Sequence, residues 1–332
     1  MEYTTLGSTG TTVSRICLGC MSFGDPDWRD WVVGRERAVP IVERALDAGI
    51  TFFDTANIYS HGESERILGE VLADYDRDRF VVATKANRQM DPANPNSGGL
   101  SRKALEQELA KSRERLGLDT IDLYQLHNWD EKTPITETLR TLDDAVRRGH
   151  VRHLGASSMW TYQFATALRK SDLSGLERFA TMQAHYNLVY REKEREMLPF
   201  CRQEGIGVLP YSPLARGYLA RPHEAFADTE RGEYTAEVRD DYMPERVREY
   251  GRNGGREINA RLAELADEYG VTMAQLALAW LLGREAVDAP IVGVTSPEHV
   301  DDAVEALDVD LAASDADYLE EPYRAGAVLG HE

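Results

Sequence analysis

Eight short apolar runs, each followed by a stretch with helical periodicity, constrain the fold of this chain more than any other feature. The runs are rich in β-branched residues and nearly continuously apolar, as expected when both faces of a parallel sheet are covered. Amphipathic stretches such as 101–116 and 135–148 separate them. The alternation predicts a parallel α/β fold. The predicted strands are 15–18, 51–53, 80–84, 122–126, 151–155, 181–183, 207–209 and 290–292.

Two architectures have this strict alternation, an open doubly wound sheet and a closed (β/α)8 barrel. The open sheet usually carries a GxGxxG motif directly after its first strand. Here the first strand runs into Leu18-Gly19-Cys20-Met21-Ser22-Phe23-Gly24, which lacks that spacing. Eight units in roughly 300 residues suit a barrel. We therefore expect an α/β protein with a (β/α)8 TIM barrel, formed by a single domain over residues 1–332.

Two segments lie outside the regular alternation. Residues 3–6 and 11–14, joined by Gly7-Ser8-Thr9-Gly10, predict an N-terminal β-hairpin that plugs the amino-terminal mouth of the barrel. Residues 215–255, after the seventh strand, are rich in Asp, Glu, Arg and Gly. A long loop in a compact domain is usually either a functional lid or a disordered loop. The position of this segment after the carboxyl end of a strand favours a lid over the opposite mouth.

The charge of the chain limits its partners. Its 332 residues include 57 acidic and 38 basic side chains, and the net charge is −19. Nucleic acids and anionic membranes require a basic surface, so neither is expected as a partner. No apolar stretch approaches the roughly 20 residues that span a bilayer. The first residues lack the pattern of a secretory signal, so a cytoplasmic location is expected.

Only 6 of the 38 basic residues are Lys. Strong acidity with scarce Lys is typical of a halophilic protein, because dense carboxylates hold water and cations at the surface. An acidic protein from a GC-rich genome would have the same composition. Both interpretations stay open, as does the oligomeric state.

Four polar residues lie at the ends of three consecutive predicted strands. Asp54 directly follows the second strand, Lys85 the third and His127 the fourth, while Tyr59 lies in the loop after the second. Active sites of (β/α)8 barrels lie at the carboxyl ends of the strands. We therefore expect these four side chains to converge on one site.

The chemistry of this set predicts proton transfer to a carbonyl oxygen. Asp54 would keep Lys85 charged, and the ammonium would lower the pKa of the Tyr59 phenol. Tyr59 would then protonate a substrate oxygen that His127 orients. Singly, each residue has an ordinary explanation, such as a strand-end cap or a solvated Lys. A metal site is not expected, because HExxH and HxH are absent and Lys85 would repel a cation.

The motifs around these residues resemble those of the aldo-keto reductases. They include Asp54-Thr55-Ala56-Asn57-Ile58-Tyr59, Glu65-Arg66-Ile67-Leu68-Gly69, Leu123-Tyr124-Gln125-Leu126-His127 and Tyr211-Ser212-Pro213-Leu214-Ala215-Arg216-Gly217. The resemblance covers nearly the whole chain and points to a bacterial or archaeal branch related to channel β-subunits. It implies NAD(P)H-dependent reduction of small aldehydes or ketones to alcohols by hydride transfer. Asp54, Tyr59, Lys85 and His127 would be the catalytic residues, with Tyr59 as general acid. The alternative is a cofactor-binding regulatory protein of the channel β-subunit type, with slow or no turnover.

The resemblance also implies a set of cofactor-binding residues. Ser157, Ser158 and Gln183 would hold the nicotinamide carboxamide, and Tyr211 would stack on the ring. Each also has a structural explanation. Ser157 and Ser158 could cap the helix predicted at 161–169, Gln183 could be a buried and satisfied amide, and Tyr211 could fill the barrel mouth. The remaining implied contacts are Gly19 and Met21 after the first strand, and Ser212, Pro213, Leu214, Arg216 and Gly217 at the pyrophosphate.

The adenosine end of the cofactor departs from the family pattern. Relatives often place Lys or Arg near the start of the last helix, where this chain has Thr295, Ser296 and His299. We expect NADPH, contacted by these hydroxyl and imidazole groups, although NADH is possible. Three loop aromatic residues are candidates for the substrate pocket, Trp28, Trp31 and Trp129.

Overall fold

The computed structural model describes residues 1–226 and 250–329. Eight parallel strands close into a barrel, in which the last strand pairs with the first. The predicted (β/α)8 barrel is therefore confirmed. The barrel strands are β3 (Cys17–Gly19), β4 (Phe52–Asp54), β5 (Val81–Ala86), β6 (Ile121–Leu126), β7 (Val151–Ser157), β8 (Phe179–His185), β9 (Gly207–Tyr211) and β10 (Ile291–Gly293).

Helices surround the barrel and bury their apolar faces against the strands. The described α-helices are α1 (Arg35–Asp47), α2 (Glu63–Leu72), α3 (Arg102–Leu116), α4 (Ile135–Arg147), α5 (Thr161–Ser174), α6 (Met197–Glu204), α7 (His223–Phe226), α8 (Gly255–Tyr269), α9 (Met273–Leu282), α10 (Pro297–Glu305) and α11 (Ala313–Glu320). Helix α3 shows how the sequence sets these bounds. The Ser101 side chain accepts a hydrogen bond from the Ala104 N–H at its start, and Gly117 ends it with a φ of 64°.

The N-terminal hairpin plugs the amino-terminal mouth of the barrel, as predicted. Its strands are β1 (Tyr3–Thr5) and β2 (Thr12–Ser14). Leu6 and Val13 are fully buried in a cluster with inward-facing barrel residues such as Phe52 and Leu209. Gly7 has a φ of +56°, and a Cβ there would lie 2.6 Å from the Ala180 carbonyl oxygen, so the turn requires glycine. The hairpin thereby seals this end of the barrel with apolar side chains.

The segment after β9 is described in part. A 3-10 turn, Ala215–Ala220, is followed by the short helix α7. Most of the predicted lid falls on residues 227–249, which lie outside the described residues. No helix in the described part of the chain is long and apolar enough to cross a membrane. The single domain over residues 1–332 stays a prediction.

The helical segment between β8 and β9 is interrupted. Residues Glu192–Arg195 form a 3-10 turn, and α6 begins only at Met197. The Glu192 carboxylate is buried and accepts hydrogen bonds from the Tyr323 hydroxyl and the Gly326 N–H. The C-terminal segment is therefore fastened across the loop that follows β8.

Candidate active site

A buried ion pair lies at the carboxyl end of the barrel. Lys85 Nζ is 2.5 Å from Asp54 Oδ1, and both side chains are buried. Lys85 also donates to the Thr55 carbonyl oxygen at 2.8 Å. Asp54 ends β4, and Lys85 lies near the end of the neighbouring β5. Burial lowers the pKa of Lys85, but the Asp54 carboxylate and Tyr59 outweigh it, so its pKa is raised and the side chain is an ammonium.

Tyr59 is the third member of this cluster. Lys85 Nζ donates to Tyr59 Oη at 3.2 Å, and the Tyr59 side chain is 9% exposed. Burial raises the pKa of the Tyr59 phenol, and the opposing effect of Lys85 is smaller. Lys85 does lower the pKa of Tyr59, as expected, but burial outweighs this effect, so the pKa lies above its ordinary value. Tyr59 is a protonated phenol at neutral pH, as a proton donor must be.

His127 completes the predicted set. It directly follows β6, and its ring centroid lies 5.9 Å from that of Tyr59, with the two rings nearly perpendicular. Burial, together with the nearby charges of Lys85 and Arg88, holds the pKa of His127 well below its ordinary value. His127 is therefore a neutral imidazole. The structure brings all four predicted residues together.

Gln125 is a site residue that sequence analysis missed. Its Nε2 donates to Asp54 Oδ2 at 2.8 Å, and Gln183 Nε2 donates to the same oxygen at 2.9 Å. Gln125 lies on β6, two residues before His127, and so points to the same face of the strand. The signal available in the sequence was a polar residue two positions before His127, on the same face of the predicted strand.

The residues expected around the nicotinamide are neighbours in the barrel. Ser157 ends β7 and pairs in register with Gln183 on β8. Ser158 Oγ donates to Tyr211 Oη at 3.4 Å, and the Tyr211 ring stacks on that of His185 at 5.2 Å. The alternative of a serine cap is wrong, because α5 takes Trp160 as its N-cap residue.

The loop after β9 has an unusual backbone. Ala215, Arg216 and Gly217 have φ values of 49°, 66° and 94°. Leu214 precedes them with a φ of −95° and a ψ of 20°. A residue on the right-handed side followed by a left-handed one directs successive backbone N–H groups into a concavity that binds anions. A Cβ on Gly217 would meet no atom of residues 1–226 or 250–329 within 4 Å. The preceding residues of this loop are Ser212, which also has a positive φ, Pro213, which is buried, and Leu214.

Backbone strain is concentrated at the same end of the barrel. The described non-glycine residues with positive φ all lie in the loops after β4, β7 and β9. Such conformations are costly and occur mainly at functional sites. They are Ser60, His61, Ser158, Ser212, Ala215 and Arg216.

Two predicted cofactor contacts follow β3. Gly19 ends the strand, and a Cβ there would lie 2.9 Å from Ile291 Cγ2. Glycine at this position therefore has a packing reason inside the barrel. Met21 is half-buried in the 3-10 turn Cys20–Ser22.

A basic residue from another helix lies beside the start of α10. Ser296 is the N-cap residue but makes no capping bond with its side chain, and Thr295 N–H donates to His299 Nδ1 at 3.3 Å. Arg37, on α1, donates from Nη2 to the Thr295 carbonyl oxygen at 3.2 Å. Sequence analysis missed Arg37, because α1 and α10 become neighbours only when the barrel closes.

The aromatic candidates for the substrate pocket separate into two groups. Trp28 and Trp31 pack edge to face, 6.4 Å apart, in the loop after β3. Trp129 lies in the loop after β6, packed against the core. Asn87 Nδ2 donates to the Asn128 carbonyl oxygen at 2.7 Å and so fixes the loop that carries Trp129.

The chemistry of these groups fits a nicotinamide dinucleotide. The Gln183 amide, the hydroxyls of Ser157 and Ser158 and the half-exposed Tyr211 ring suit the nicotinamide end. The loop after β9 and the start of α10, with Arg37 beside it, suit the phosphates. Within residues 1–226 and 250–329, no group of three or more His, Cys, Asp or Glu side chains is arranged to hold a metal ion.

Comparisons with known proteins agree with this site. The sequence model of the Aldo/keto reductase family matches residues 15–324. Versiconal hemiacetal acetate reductase of Aspergillus parasiticus is 39% identical over 99% of this chain and 98% of its own length. A Schizosaccharomyces pombe protein provisionally named an aryl-alcohol dehydrogenase is 40% identical over 97% of this chain and 95% of its own. Both relatives are fungal and give no support to the expected bacterial or archaeal branch. The chain belongs to the aldo/keto reductase family.

Proposed function

We propose that Tyr59 is the proton donor of this enzyme and that NADPH is its cofactor. The protein is an NAD(P)H-dependent oxidoreductase that reduces small-molecule carbonyl compounds. The observation that carries the proposed roles is the position of Lys85 Nζ, within hydrogen-bond reach of both Asp54 and Tyr59. The assembled site and the reductase names of the relatives favour turnover over the regulatory alternative.

The proposed roles follow from the protonation states of the four residues. When bound, NAD(P)H supplies the hydride that the carbonyl carbon accepts. The Tyr59 phenol gives its proton to the carbonyl oxygen, and the Lys85 ammonium stabilises the phenolate that remains. Asp54 keeps Lys85 protonated and directed at Tyr59. The neutral His127 ring donates a hydrogen bond to the same carbonyl oxygen and fixes its position.

The nicotinamide would bind among the residues of β7, β8 and β9. Gln183 and the hydroxyls of Ser157 and Ser158 would hold the carboxamide, and Tyr211 would support the ring. The register pairing of Ser157 with Gln183 supports this assignment. The loop containing Arg216 and Gly217 would receive the pyrophosphate, with Gly19, Met21, Ser212, Pro213 and Leu214 around it.

The preference for NADPH rests on charge at the start of α10. Arg44 is paired with Asp301 on that helix at 2.5 Å, so its charge is balanced. Arg37 donates a hydrogen bond to the neutral Thr295 carbonyl oxygen and forms no ion pair with any other described residue, so its charge is available for a 2′-phosphate. Thr295, Ser296 and His299 would add hydroxyl and imidazole contacts.

For the substrate, we infer an apolar or aromatic aldehyde or ketone. The edge-to-face pair of Trp28 and Trp31 supplies apolar surface, and Trp129 lies two residues beyond His127. The relative from Schizosaccharomyces pombe carries an aryl-alcohol name, which agrees with this inference. A cytoplasmic location and a halophilic surface remain predictions from the sequence.

Replacing Tyr59 by Phe tests the proton donor. We expect Tyr59→Phe to lower kcat by at least about 10²-fold, because the acid is lost while the ring remains. The matched control is Tyr124→Phe, another buried phenol, whose hydroxyl has no hydrogen-bond partner among the described residues. Steady-state reduction of a carbonyl panel checks both variants. Near-normal turnover by Tyr59→Phe would disprove the acid role.

The pH dependence of reduction tests the two protonation states. Reduction needs the protonated phenol of Tyr59. Because burial raises the pKa of this phenol, it stays protonated to a higher pH than a free phenol. We expect kcat to stay constant from about pH 6 to about pH 9 and to fall only above the ordinary phenol pKa of about 10. An inflection near the ordinary His pKa of about 6.5 would contradict a neutral His127.

Replacing Arg37 tests the cofactor preference. We expect Arg37→Ala to weaken NADPH binding by about tenfold or more and to leave NADH binding unchanged, because a charged hydrogen bond to the 2′-phosphate is lost. Arg35→Ala on the same helix is the control, since Arg35 pairs with Glu70. Dissociation constants from quenching of tryptophan fluorescence check this. Equal binding of NADPH by Arg37→Ala and the wild type would contradict the assignment.

A further inference from the structure

We propose that Gln125 is a positioning residue that joins the nicotinamide pocket to the proton donor through Asp54. This inference rests on the proposed function, because it takes Tyr59 as the acid and Gln183 as a cofactor contact. Gln125 itself would touch neither the substrate nor the cofactor. It would act through the two residues that its amide group contacts.

Both oxygens of Asp54 are held by hydrogen bonds. Oδ1 accepts from Lys85 Nζ at 2.5 Å, and Oδ2 accepts from Gln125 Nε2 at 2.8 Å and from Gln183 Nε2 at 2.9 Å. Gln183 Nε2 also lies 3.3 Å from Gln125 Oε1. All four side chains are at most 4% exposed. The two amides therefore fix the carboxylate plane, and the plane determines where Oδ1 holds Lys85.

The same contacts fix the orientation of the Gln183 amide. A carboxylate only accepts hydrogen bonds, so the nitrogen of Gln183 must face Asp54. The side-chain oxygen of Gln125 accepts a hydrogen bond from the same nitrogen. Gln183 Oε1 is then the atom directed away from Asp54, and it would accept an N–H from the nicotinamide carboxamide. Gln125 thus preselects the amide orientation that the cofactor requires.

The amides also moderate the field of Asp54 at Tyr59. The Asp54 charge raises the pKa of Tyr59, and the Lys85 charge lowers it. N–H groups directed at Oδ2 offset part of the Asp54 charge. Losing one of them leaves more negative potential at the phenol, which favours the protonated form. Removal of Gln125 would therefore shift the titration of Tyr59 to higher pH.

The first test removes the amide. We expect Gln125→Leu to lower kcat about tenfold or more, the loss expected for a hydrogen bond to a charged group. The dissociation constant for NADPH should rise, and the basic limb of the kcat profile should move to higher pH. Gln275→Leu is the matched control, because Gln275 is also buried but caps α9 and donates to Glu305. It should change none of the three quantities.

The second test restores the donor by protonation. A glutamic acid at position 125 donates to Asp54 when protonated and repels it when ionised. Burial beside Asp54 raises the pKa of such a carboxyl group. The kcat of Gln125→Glu, relative to the wild type, should therefore rise as the pH falls from about 8 to about 5.5. A residue that only fills space would give a ratio independent of pH.

The outcomes separate this inference from the proposed function. If Gln125→Leu keeps the kcat, the NADPH binding and the pH profile of the wild type, the role of Gln125 is overturned, even if Tyr59→Phe is inactive. Normal turnover by Tyr59→Phe would instead overturn the proposed function itself. If Gln125→Leu does not fold, Gln125→Glu decides, and a pH-independent kcat ratio would contradict the proposal.

Discussion

The buried ion pair of Lys85 and Asp54 is the interaction on which the site depends. Removing each charge from water costs several kcal/mol, and attraction offsets this cost only when the geometry is good and the remaining atoms are hydrogen-bonded. Thr55, Gln125 and Gln183 supply those bonds from three directions. The pair thereby requires β4, β5, β6 and β8 to keep their relative positions, which a closed barrel provides.

The rest of the fold keeps this pair out of water and holds the rings around it. The hairpin seals the opposite mouth with Leu6 and Val13, so the barrel interior below the ion pair is apolar. On the cofactor side, the Tyr190 ring stacks on His185, which in turn stacks on Tyr211. The Leu329 N–H donates to the Tyr190 hydroxyl at 2.7 Å, so the C-terminal segment supports this column of rings. Electrostatic interactions are stronger in such a dry environment.

The sequence was sufficient to predict the barrel and the four converging residues, because barrel closure places successive strand ends side by side. The net rise in the pKa of Tyr59 was not predicted, because it depends on how deeply the phenol is buried. Gln125 was missed because its position two residues before His127 is a signal that does not identify its partner, Asp54, on another strand. Arg37 and Thr295 lie 258 positions apart, and only closure of the helical ring brings them together.

The double variant Asp54→Asn/Lys85→Met tests the central claim most directly. It removes both charges together, so neither is left buried and unpaired. We expect kcat for carbonyl reduction to fall by at least about 10²-fold, the contribution typical of a positioned proton donor, while folding and NADPH binding are retained. Wild-type kcat in this folded double variant would contradict the claim that the ion pair sets up proton transfer from Tyr59.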